Sequence, residues 1–474
     1  MTVIGIVRAP VLWHANRDVK ILILLRMIRL FGYGGTTFVL ALYLHALGFE
    51  DSHVGLFMTL TLLGDLMISL ALTYVGDGLG VRLTVVVGAL LMCASGVAFA
   101  LLHDYWFLLL ASVFGVINPS ANEIDPFKAI EESATARLST AETRSDVFAW
   151  WTMLGMLGTA ASNLLTGFLV DHLQHAGVGE LDTLRAVFIG YAIIGLVKAT
   201  CCMLLSSEVE LSPMGRVDSD QYLPKTNPDA RKPQETEPLL QNHDEETDEI
   251  GPGPKTSRKP KPGKSIFTSD SIGFLWRLSL ALVFDFIGSG LAQISWMTYF
   301  FKRDYDISEG ALGLATFLAG LISSILNLAS SPLSRAIGQV QTMVVCHTIN
   351  SISLLMVSVS ANKYLALAIF IFRIVTREID NAPRQAFISS RVLAEERTSA
   401  MGVVNIIKII GSCVGLYCTG IFAGMDQFWL AFIVAGGLKL VYNVLISAFF
   451  WRGCKKQEHE SPRESDRESD NDSS

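Results

Sequence analysis

Two arginines inside a long apolar run are the residues whose chemistry is most informative. An ionisable group at mid-bilayer costs at least about 2.5–3.5 kcal/mol, so each should face the protein interior or a wet cavity. Arg373 lies ten residues beyond Lys363, which at about 1.5 Å per residue is about 15 Å, the middle of a hydrocarbon core. Because a guanidinium offers a fork of donors to a carboxylate or phosphate, Arg373 and Arg377 are predicted to bind an anionic solute. The alternative, an internal pair of Arg373 with Asp285 or Asp380, stays open.

Two carboxylates in apolar runs, Asp65 and Asp285, are candidates for proton coupling. Asp65 lies twelve residues beyond His53, about 18 Å into its run at the same rise, and has no basic residue three or four positions away. Burial favours the protonated form of such a carboxyl. A proton that binds and leaves near neutral pH is what proton-coupled transport needs. The alternative is an interior acid held by hydrogen bonds.

Polar residues of the fourth and first apolar runs are further candidates for solute binding. Asn118 precedes Pro119, which removes a backbone hydrogen bond and predicts a kink that faces a cavity. Asn122 follows one helical turn later. Arg29 shares a helix face with Arg26 in the first run, and we expect it either to line the cavity or to extend its head group to the membrane surface.

The runs that carry these residues are long enough to cross a membrane. Of the 474 residues, 51% are hydrophobic and only 17% are charged, which is too apolar for an ordinary soluble domain. Runs of about twenty residues, the length that crosses about 30 Å of hydrocarbon, recur with short polar breaks. The sequence therefore predicts an all-α membrane protein of about twelve transmembrane helices, near 21–47, 54–75, 83–102, 105–127, 147–170, 186–206, 273–300, 310–332, 339–360, 364–389, 399–423 and 427–451.

Several classes of protein are not expected. No basic stripe is interleaved with aromatic residues, so nucleic acid is not an expected partner. No Walker-type loop and no spaced His, Ser or Cys set is visible, so we expect no enzyme, no cofactor and no metal site. His53 and His347 each stand alone on an apolar run and are expected to be packed or interfacial. The seven cysteines lack metal-ligand spacing and are expected mainly to fill apolar space.

A polar segment divides the chain into two halves. Residues 207–270 are rich in Pro, Lys, Glu and Asp and cannot bury enough apolar surface to fold, which predicts a disordered cytosolic linker. It separates a six-helix bundle in residues 1–206 from a second in residues 271–452. Residues 453–474 are predicted to form a disordered cytosolic tail. Cytosolic termini and linker leave few Lys and Arg residues on the outer side, as the positive-inside rule requires.

A short pattern in the linker resembles a membrane-sorting signal. Glu235, Leu239 and Leu240 fit an acidic dileucine pattern, which sorting adaptors read as a signal for endosomal, lysosomal or vacuolar membranes. The expected location is therefore one of these membranes or the plasma membrane.

The two halves repeat each other. Gly32, Gly55, Gly80 and Thr84 match identical residues 258 positions later, and Thr166-Gly167 matches identical residues 253 positions later. Such matches at a nearly constant offset are not produced by apolar composition alone. Because each half has an even number of spans, the copies share orientation and a cavity is expected between them.

The repeat, the linker and one loop resemble the major facilitator superfamily. The loop between the second and third spans keeps Asp77, Gly80 and a displaced Arg82 of the family's motif, while Thr73, Gly78 and Val81 depart from it. The segment 118–127, Asn-Pro-Ser-Ala-Asn-Glu-Ile-Asp-Pro-Phe, resembles a subgroup with no assigned substrate. The resemblance implies a secondary transporter that moves a small solute across the bilayer by alternating access. The arginines favour an organic anion, and the buried acids favour a proton as the coupling ion. The alternative is a transporter-like nutrient sensor or scaffold that no longer transports.

Charged residues near the inner ends of the halves are predicted to act as gates. Salt bridges there can hold one face shut and break when the halves rock. The gating candidates are Asp77, Arg82, Glu123, Asp125, Arg144, Glu378, Asp380 and Arg397.

Overall fold

The computed structural model describes residues 13–115, 117, 119, 127–140, 143–210, 267–377, 379–393 and 396–471. Within these ranges the regular secondary structure is helical. The described residues on either side of the predicted linker belong to one compact unit. The predicted all-α fold is confirmed.

Seven α-helices lie within the described part of the first half. Long apolar stretches favour them, and Asn16 caps the first by accepting the backbone N–H of Asp18 at 3.1 Å. They are α1 (Arg17–Ala46), α2 (Asp51–Leu79), α3 (Val81–Leu101), α4 (Tyr105–Gly115), α5 (Lys128–Leu138), α6 (Arg144–His175) and α7 (Glu180–Cys202).

The second half has eight α-helices among its described residues. The last one continues from the sixth predicted span into the segment that the sequence predicts to be a tail. They are α8 (Ser269–Leu291), α9 (Ile294–Tyr305), α10 (Glu309–Ile337), α11 (Gln339–Val359), α12 (Lys363–Arg377), α13 (Asn381–Arg391), α14 (Arg397–Gly424) and α15 (Phe428–Asn471).

Ten helices among the described residues are long and apolar enough to cross a membrane. The fourth and tenth predicted spans instead contain shorter helices. α4 covers the first part of the fourth span and α5 begins just beyond its predicted end, whereas the tenth span is divided between α12 and α13. The predicted break near Pro119 is confirmed, because α4 ends at Gly115. The prediction of one continuous helix over 364–389 is wrong. Pro383 would clash with the carbonyl of Ile379 in an unbroken helix, so a new helix begins at Asn381 with the proline in its first turn.

The repeat is visible in the connection between the second and third spans of each half. Gly80 has φ of 79° and Gly338 has φ of 92°, a left-handed region that residues with a Cβ rarely adopt. In the helix that follows, the Thr84 hydroxyl donates to the carbonyl of Gly80 at 2.7 Å, and Thr342 makes the same bond to Gly338 at 2.7 Å. The match predicted at an offset of 258 is therefore also a match of structure.

The halves meet at two crossings made of glycines. A Cβ added to Gly420 would lie 2.8 Å from the Cα of Gly55, and one added to Gly167 would lie 3.1 Å from the Cα of Gly313. The crossings are equivalent under the repeat, since Gly313 follows Gly55 by 258 and Gly420 follows Gly167 by 253. Side chains are too large for such close helix approach. Both crossings lie near the ends of helices on the predicted outer side.

The seventh passage is interrupted between α8 and α9, at Ala292 and Gln293. A break inside a membrane frees backbone carbonyls, which must then find partners within the protein. The Arg373 side chain donates to the carbonyl of Ala292 at 3.1 Å, and the Thr419 hydroxyl donates to that of Leu291 at 3.1 Å. This break adjoins the cavity described next.

Candidate functional site

A polar cavity of about 580 Å³ lies among the helices of the second half. We call it the charged compartment. Within the described part of the chain, five cations and two carboxylates line it, together with one histidine. The lining therefore carries three more positive than negative charges before the histidine is counted. These residues are Arg373, Arg377, Arg384, Lys408, Lys439, Asp285, Asp380 and His347.

Arg373 is buried in the wall of this compartment, with 2% of its surface exposed. Its guanidinium donates to the carbonyl of Ala292, and its own backbone carbonyl accepts a bond of 3.4 Å from Asn350. Among the described residues no carboxylate contacts it, and its Nε has no hydrogen-bond partner. The expected alternative, a pair with Asp285 or Asp380, is not formed. Burial of a cation is costly unless a counter-ion accompanies it.

Asp285 lies on α8 as the centre of a buried ion cluster. Lys439 Nζ donates to its Oδ1 at 2.6 Å, and Arg384 Nη1 donates to its Oδ2 at 3.2 Å. Lys439 also donates to Ser289 Oγ at 2.8 Å. Both carboxylate oxygens are thus taken by cations, and protonation of Asp285 requires one of these cations to move away.

His347 and Asp380 form a second pair in the same compartment. His347 Nε2 lies 2.8 Å from Asp380 Oδ2, while its Nδ1 lies 3.7 Å from Asp285 Oδ1. The ring also packs on Tyr442, with centroids 4.8 Å apart. His347 is packed, as expected, and it also has acidic partners that the sequence did not indicate, because α11 packs against α15 and lies beside the break that holds Asp380. His347 links two of the acids of the site.

A second cavity of about 840 Å³ adjoins the first. We call it the central compartment, because both halves contribute to it. Arg377 is the charged residue of its described lining, and Arg377 and Gln293 are shared with the charged compartment. The lining is Gly34, Thr37, Pro119, Met156, Thr159, Ala160, Asn163, Gln293, Ile294, Thr316, Gly320, Ser323, Ile374 and Arg377.

Arg29 lies in a buried cluster of the first half. Its Nη2 donates to Glu131 Oε2 at 2.6 Å, and Lys198 Nζ lies 3.4 Å from Glu131 Oε1. Neighbouring Arg26 lies over the ring of Trp151, 3.4 Å from its centroid, in a cation–π contact. The described linings of the two compartments do not include Arg29. Its side chain therefore does not extend to the membrane surface, and its predicted contact with the solute stays a prediction.

Asp65 is wholly buried on α2. Tyr33 and Tyr191 lie within its electrostatic range. Ser323, which holds the equivalent position in the second repeat, lines the central compartment. The role of Asp65 in proton coupling stays a prediction.

The predicted gating residues are only partly within the described residues. Asp77 lies in α2, and Arg82 donates to the carbonyl of Met203 at 3.1 Å. Arg144 and Arg397 begin α6 and α14 and are exposed, whereas Asp380 belongs to the charged compartment. Outside the described residues lie Asn118, Asn122, Glu123, Asp125, Glu378 and the sorting residues Glu235, Leu239 and Leu240.

A network that the sequence analysis missed joins the halves on the predicted outer side. Asp51 of α2 accepts hydrogen bonds of 2.9 Å from both Tyr299 and Arg303 of α9. Arg303 also donates to the carbonyl of Ala423 at 3.1 Å and to Asp426 at 2.9 Å. Charges at the ends of predicted spans were the available signal, but their partners depend on how the halves dock. The described polar contacts between the halves lie at the cavity or outward of it, so the structure is closed on that side.

Opening of this network is testable with Arg303→Ala in a cysteine-free background that carries Thr37→Cys. Removing bonds to a buried carboxylate costs about 1–3 kcal/mol, which should increase the outward-open population about tenfold or more. We expect labelling of residue 37 by an impermeant maleimide, added on the outer side, to rise by a similar factor. Arg185→Ala is the matched control, because Arg185 pairs with Asp182 inside the same half at 2.9 Å. Equal labelling in both variants would show that the network is no gate.

Comparison with known proteins agrees with this architecture. The sequence profile described as Major Facilitator Superfamily matches residues 22–300 and 278–471. "Uncharacterized membrane protein YJR124C" of Saccharomyces cerevisiae is 31% identical over 440 residues, covering 92% of this chain and 94% of that protein.

Solved structures share the fold at low identity. A bacterial homolog of the human lysosomal transporter Spinster has a TM-score of 0.65 at 13% identity, covering 93% of this chain and 98% of that one. A bacterial homologue of the iron transporter ferroportin gives 0.62 at 13% identity, with 91% and 98% covered. A D-xylose-proton symporter gives 0.63 at 12%, with 90% and 96% covered.

Two repeated helix bundles around a polar cavity, together with the family match, define a multi-pass membrane transporter. The chain belongs to the major facilitator superfamily.

Proposed function

We propose that the protein is a secondary carrier that moves a small organic anion by alternating access, with the proton as its coupling ion. The observation that carries the proposal is Arg373, a buried guanidinium with no carboxylate contact among the described residues, in the wall of a polar cavity. Such a site favours binding of an anion, because the anion supplies a negative charge and oxygen acceptors for the buried guanidinium.

Alternating access is supported by the distribution of contacts between the halves. The outer side is held by the Asp51–Arg303 pair and by the glycine crossings. Arg377 is exposed at the end of α12, within the tenth predicted span, as expected for a residue that faces a wet cavity. A carrier that binds its solute in this state exchanges it with the side opposite the closed network. From the distribution of Lys and Arg, this side is the cytosol.

The proposed location follows from the sequence alone. Both termini are placed in the cytosol, and the chain resides in the plasma membrane or in a vacuolar or endolysosomal membrane. Sorting adaptors that bind Glu235, Leu239 and Leu240 would select the latter. Fluorescence microscopy of a tagged chain with Leu239→Ala and Leu240→Ala tests this selection.

The experiment that tests the function is uptake of labelled anions into liposomes that contain the purified protein. With an imposed pH gradient, a carrier coupled to protons accumulates its anion, whereas a sensor binds it without moving it. We expect Asp65→Asn to reduce gradient-driven accumulation about tenfold and to preserve anion exchange, because exchange needs no change in the bound proton. The matched control is Asp182→Asn, at a carboxylate that is 68% exposed. Accumulation that ignores pH in the unmodified protein would remove the proton from the proposal.

A further inference from the structure

His347 is held between two carboxylates in the wall of the charged compartment. Its Nε2 lies 2.8 Å from Asp380 Oδ2, and its Nδ1 lies 3.7 Å from Asp285 Oδ1. An ionised carboxylate only accepts hydrogen bonds, so Nε2 carries a hydrogen and donates it to Asp380. In the neutral ring Nδ1 is then a bare acceptor, and among the described residues it has no hydrogen-bond partner. The ring therefore has one open position, which faces a second carboxylate.

A proton fits this open position better than it fits the neighbouring acids. Both oxygens of Asp285 already accept bonds from cations, Lys439 at 2.6 Å and Arg384 at 3.2 Å. Asp380 Oδ2 accepts from His347 and lies 3.9 Å from Arg384. A proton on Nδ1 leaves these bonds in place, because a carboxylate oxygen accepts more than one bond and an imidazolium donates from both nitrogens.

Charged and titratable groups surround the ring in the described part of the chain. The two acids favour a charged ring, whereas the cations that bind Asp285 oppose it. A histidine is also the side chain whose charge ordinarily changes between about pH 5 and about pH 8. The groups that face the ring or line the compartment with it are Asp285 (α8), Arg373 and Arg377 (α12), Asp380 and Arg384 (start of α13), Lys408 (α14), and Lys439 and Tyr442 (α15).

Contacts connect this ring to Arg373, the proposed anion site. Asn350, one turn beyond His347 on α11, donates to the backbone carbonyl of Arg373 at 3.4 Å. Asp285 lies seven residues before Ala292, whose carbonyl accepts from the Arg373 guanidinium at 3.1 Å. A proton on Nδ1 draws Asp285 toward the ring and thus acts on the helix that carries this carbonyl. Its positive charge also favours an anion in the same compartment, and by linkage a bound anion favours the proton by the same factor.

We infer that His347 is a proton-binding site of the carrier: a proton on Nδ1 joins the ring to Asp285, while Nε2 keeps its bond to Asp380. The inference rests on the proposed proton coupling and adds a second site to Asp65. At the offset of 258, the residue equivalent to His347 is Ala89, which is buried and has no titratable group. Each half therefore has one proton site that the other half lacks.

The test follows the charge of the ring by nitrogen NMR of the full-length protein in detergent, labelled in its histidine side chains. The chain has nine histidines, and His347→Gln identifies the signal of His347 by its loss. We expect one protonated and one bare nitrogen at about pH 9, and two protonated nitrogens at about pH 5. His53→Gln is the matched control, at a ring that is 58% exposed. A His347 ring that keeps one form over this whole range would overturn the proton site.

The carboxylate partner is tested with Asp380→Asn, which keeps the shape of the side chain and removes its charge. We expect the ring to lose its proton at a pH lower by about one unit or more, because the charge that favours the imidazolium is gone. Asp182→Asn, at a carboxylate that is 68% exposed, should leave the titration unchanged. Because Asp380→Asn retains His347, it also identifies the signal if His347→Gln fails to fold. If no histidine signal shifts in Asp380→Asn, the proposed pairing is overturned.

Failure of this site and failure of the proposed function give different results, because the titration is measured without a solute. A His347 ring that does not titrate leaves the anion carrier and Asp65 as proposed. Uptake into liposomes that ignores the pH gradient would instead remove proton coupling, and with it the role of a proton at His347.

Discussion

Arg373→Ala is expected to reduce anion uptake into liposomes by about 100-fold or more in kcat/KM. Truncating one partner of a buried, hydrogen-bonded charge pair costs about 2–5 kcal/mol, and about 2.8 kcal/mol corresponds to a factor of 100. Arg373→Lys should recover only part of the activity, because an ammonium keeps the charge and loses the fork of donors. Initial rates over a range of anion concentrations measure both effects.

The same variant distinguishes binding from a structural role. Arg373 has no carboxylate partner among the described residues, so its burial destabilises the ligand-free protein. Its removal should therefore leave the midpoint of thermal unfolding unchanged or raise it. If its main role were to satisfy the carbonyl of Ala292, the midpoint would fall together with activity. Arg17→Ala is the matched control, at an exposed arginine where α1 begins. Normal uptake by Arg373→Ala would refute anion binding at this site.

Lys439→Met is expected to destabilise the second half strongly. It leaves Asp285, 1% exposed, with Arg384 as its remaining hydrogen-bonded cation. Removing one partner of a buried ion pair typically costs about 3–5 kcal/mol, so the midpoint of thermal unfolding in detergent should fall by about 5 °C or more. The double variant Lys439→Met with Asp285→Asn should recover much of this loss, because no unpaired charge stays buried.

The double variant also serves as the control for the cluster. Asp285→Asn alone leaves two cations facing each other and should be as harmful as Lys439→Met. If the losses of the two single variants simply add in the double variant, the two residues do not interact and the cluster has no energetic meaning.

Particular residues show which parts of the fold could be predicted from the sequence. Apolar length locates the spans, and residue counting placed Arg373 at a depth where the structure indeed buries it. The repeat predicted that Gly55, Gly80 and Gly167 have counterparts 258 or 253 positions later, and the structure shows what these positions share. Gly80 and Gly338 are both left-handed, and the other two pairs form the glycine crossings. These features depend on the local sequence pattern or on the symmetry that relates the two halves, and both can be recognised in the sequence.

The contacts of the site depend on tertiary packing instead. Some residues of these contacts are ionisable side chains in apolar helices, and their sequence context does not indicate which partner they will contact. They are Lys198, Lys408, Lys439 and His347. Lys439 bonds to Asp285, 154 positions earlier. His347 bonds to Asp380, which lies in a helix break where the sequence predicted a continuous span. Pro383 was the available signal for that break.

The Asp285 cluster has a consequence for the order in which the chain is made. Its two cations follow it in sequence by 99 and 154 residues. At about 5–20 residues per second of synthesis, the carboxyl waits on the order of ten seconds or more after its helix leaves the ribosome. Until Arg384 is made the nascent second half contains an acid without either cation, and a proton or the insertion machinery must shield it. The bundle is completed only when the last membrane helix arrives, so a chain truncated before residue 439 offers quality control a recognisable defect.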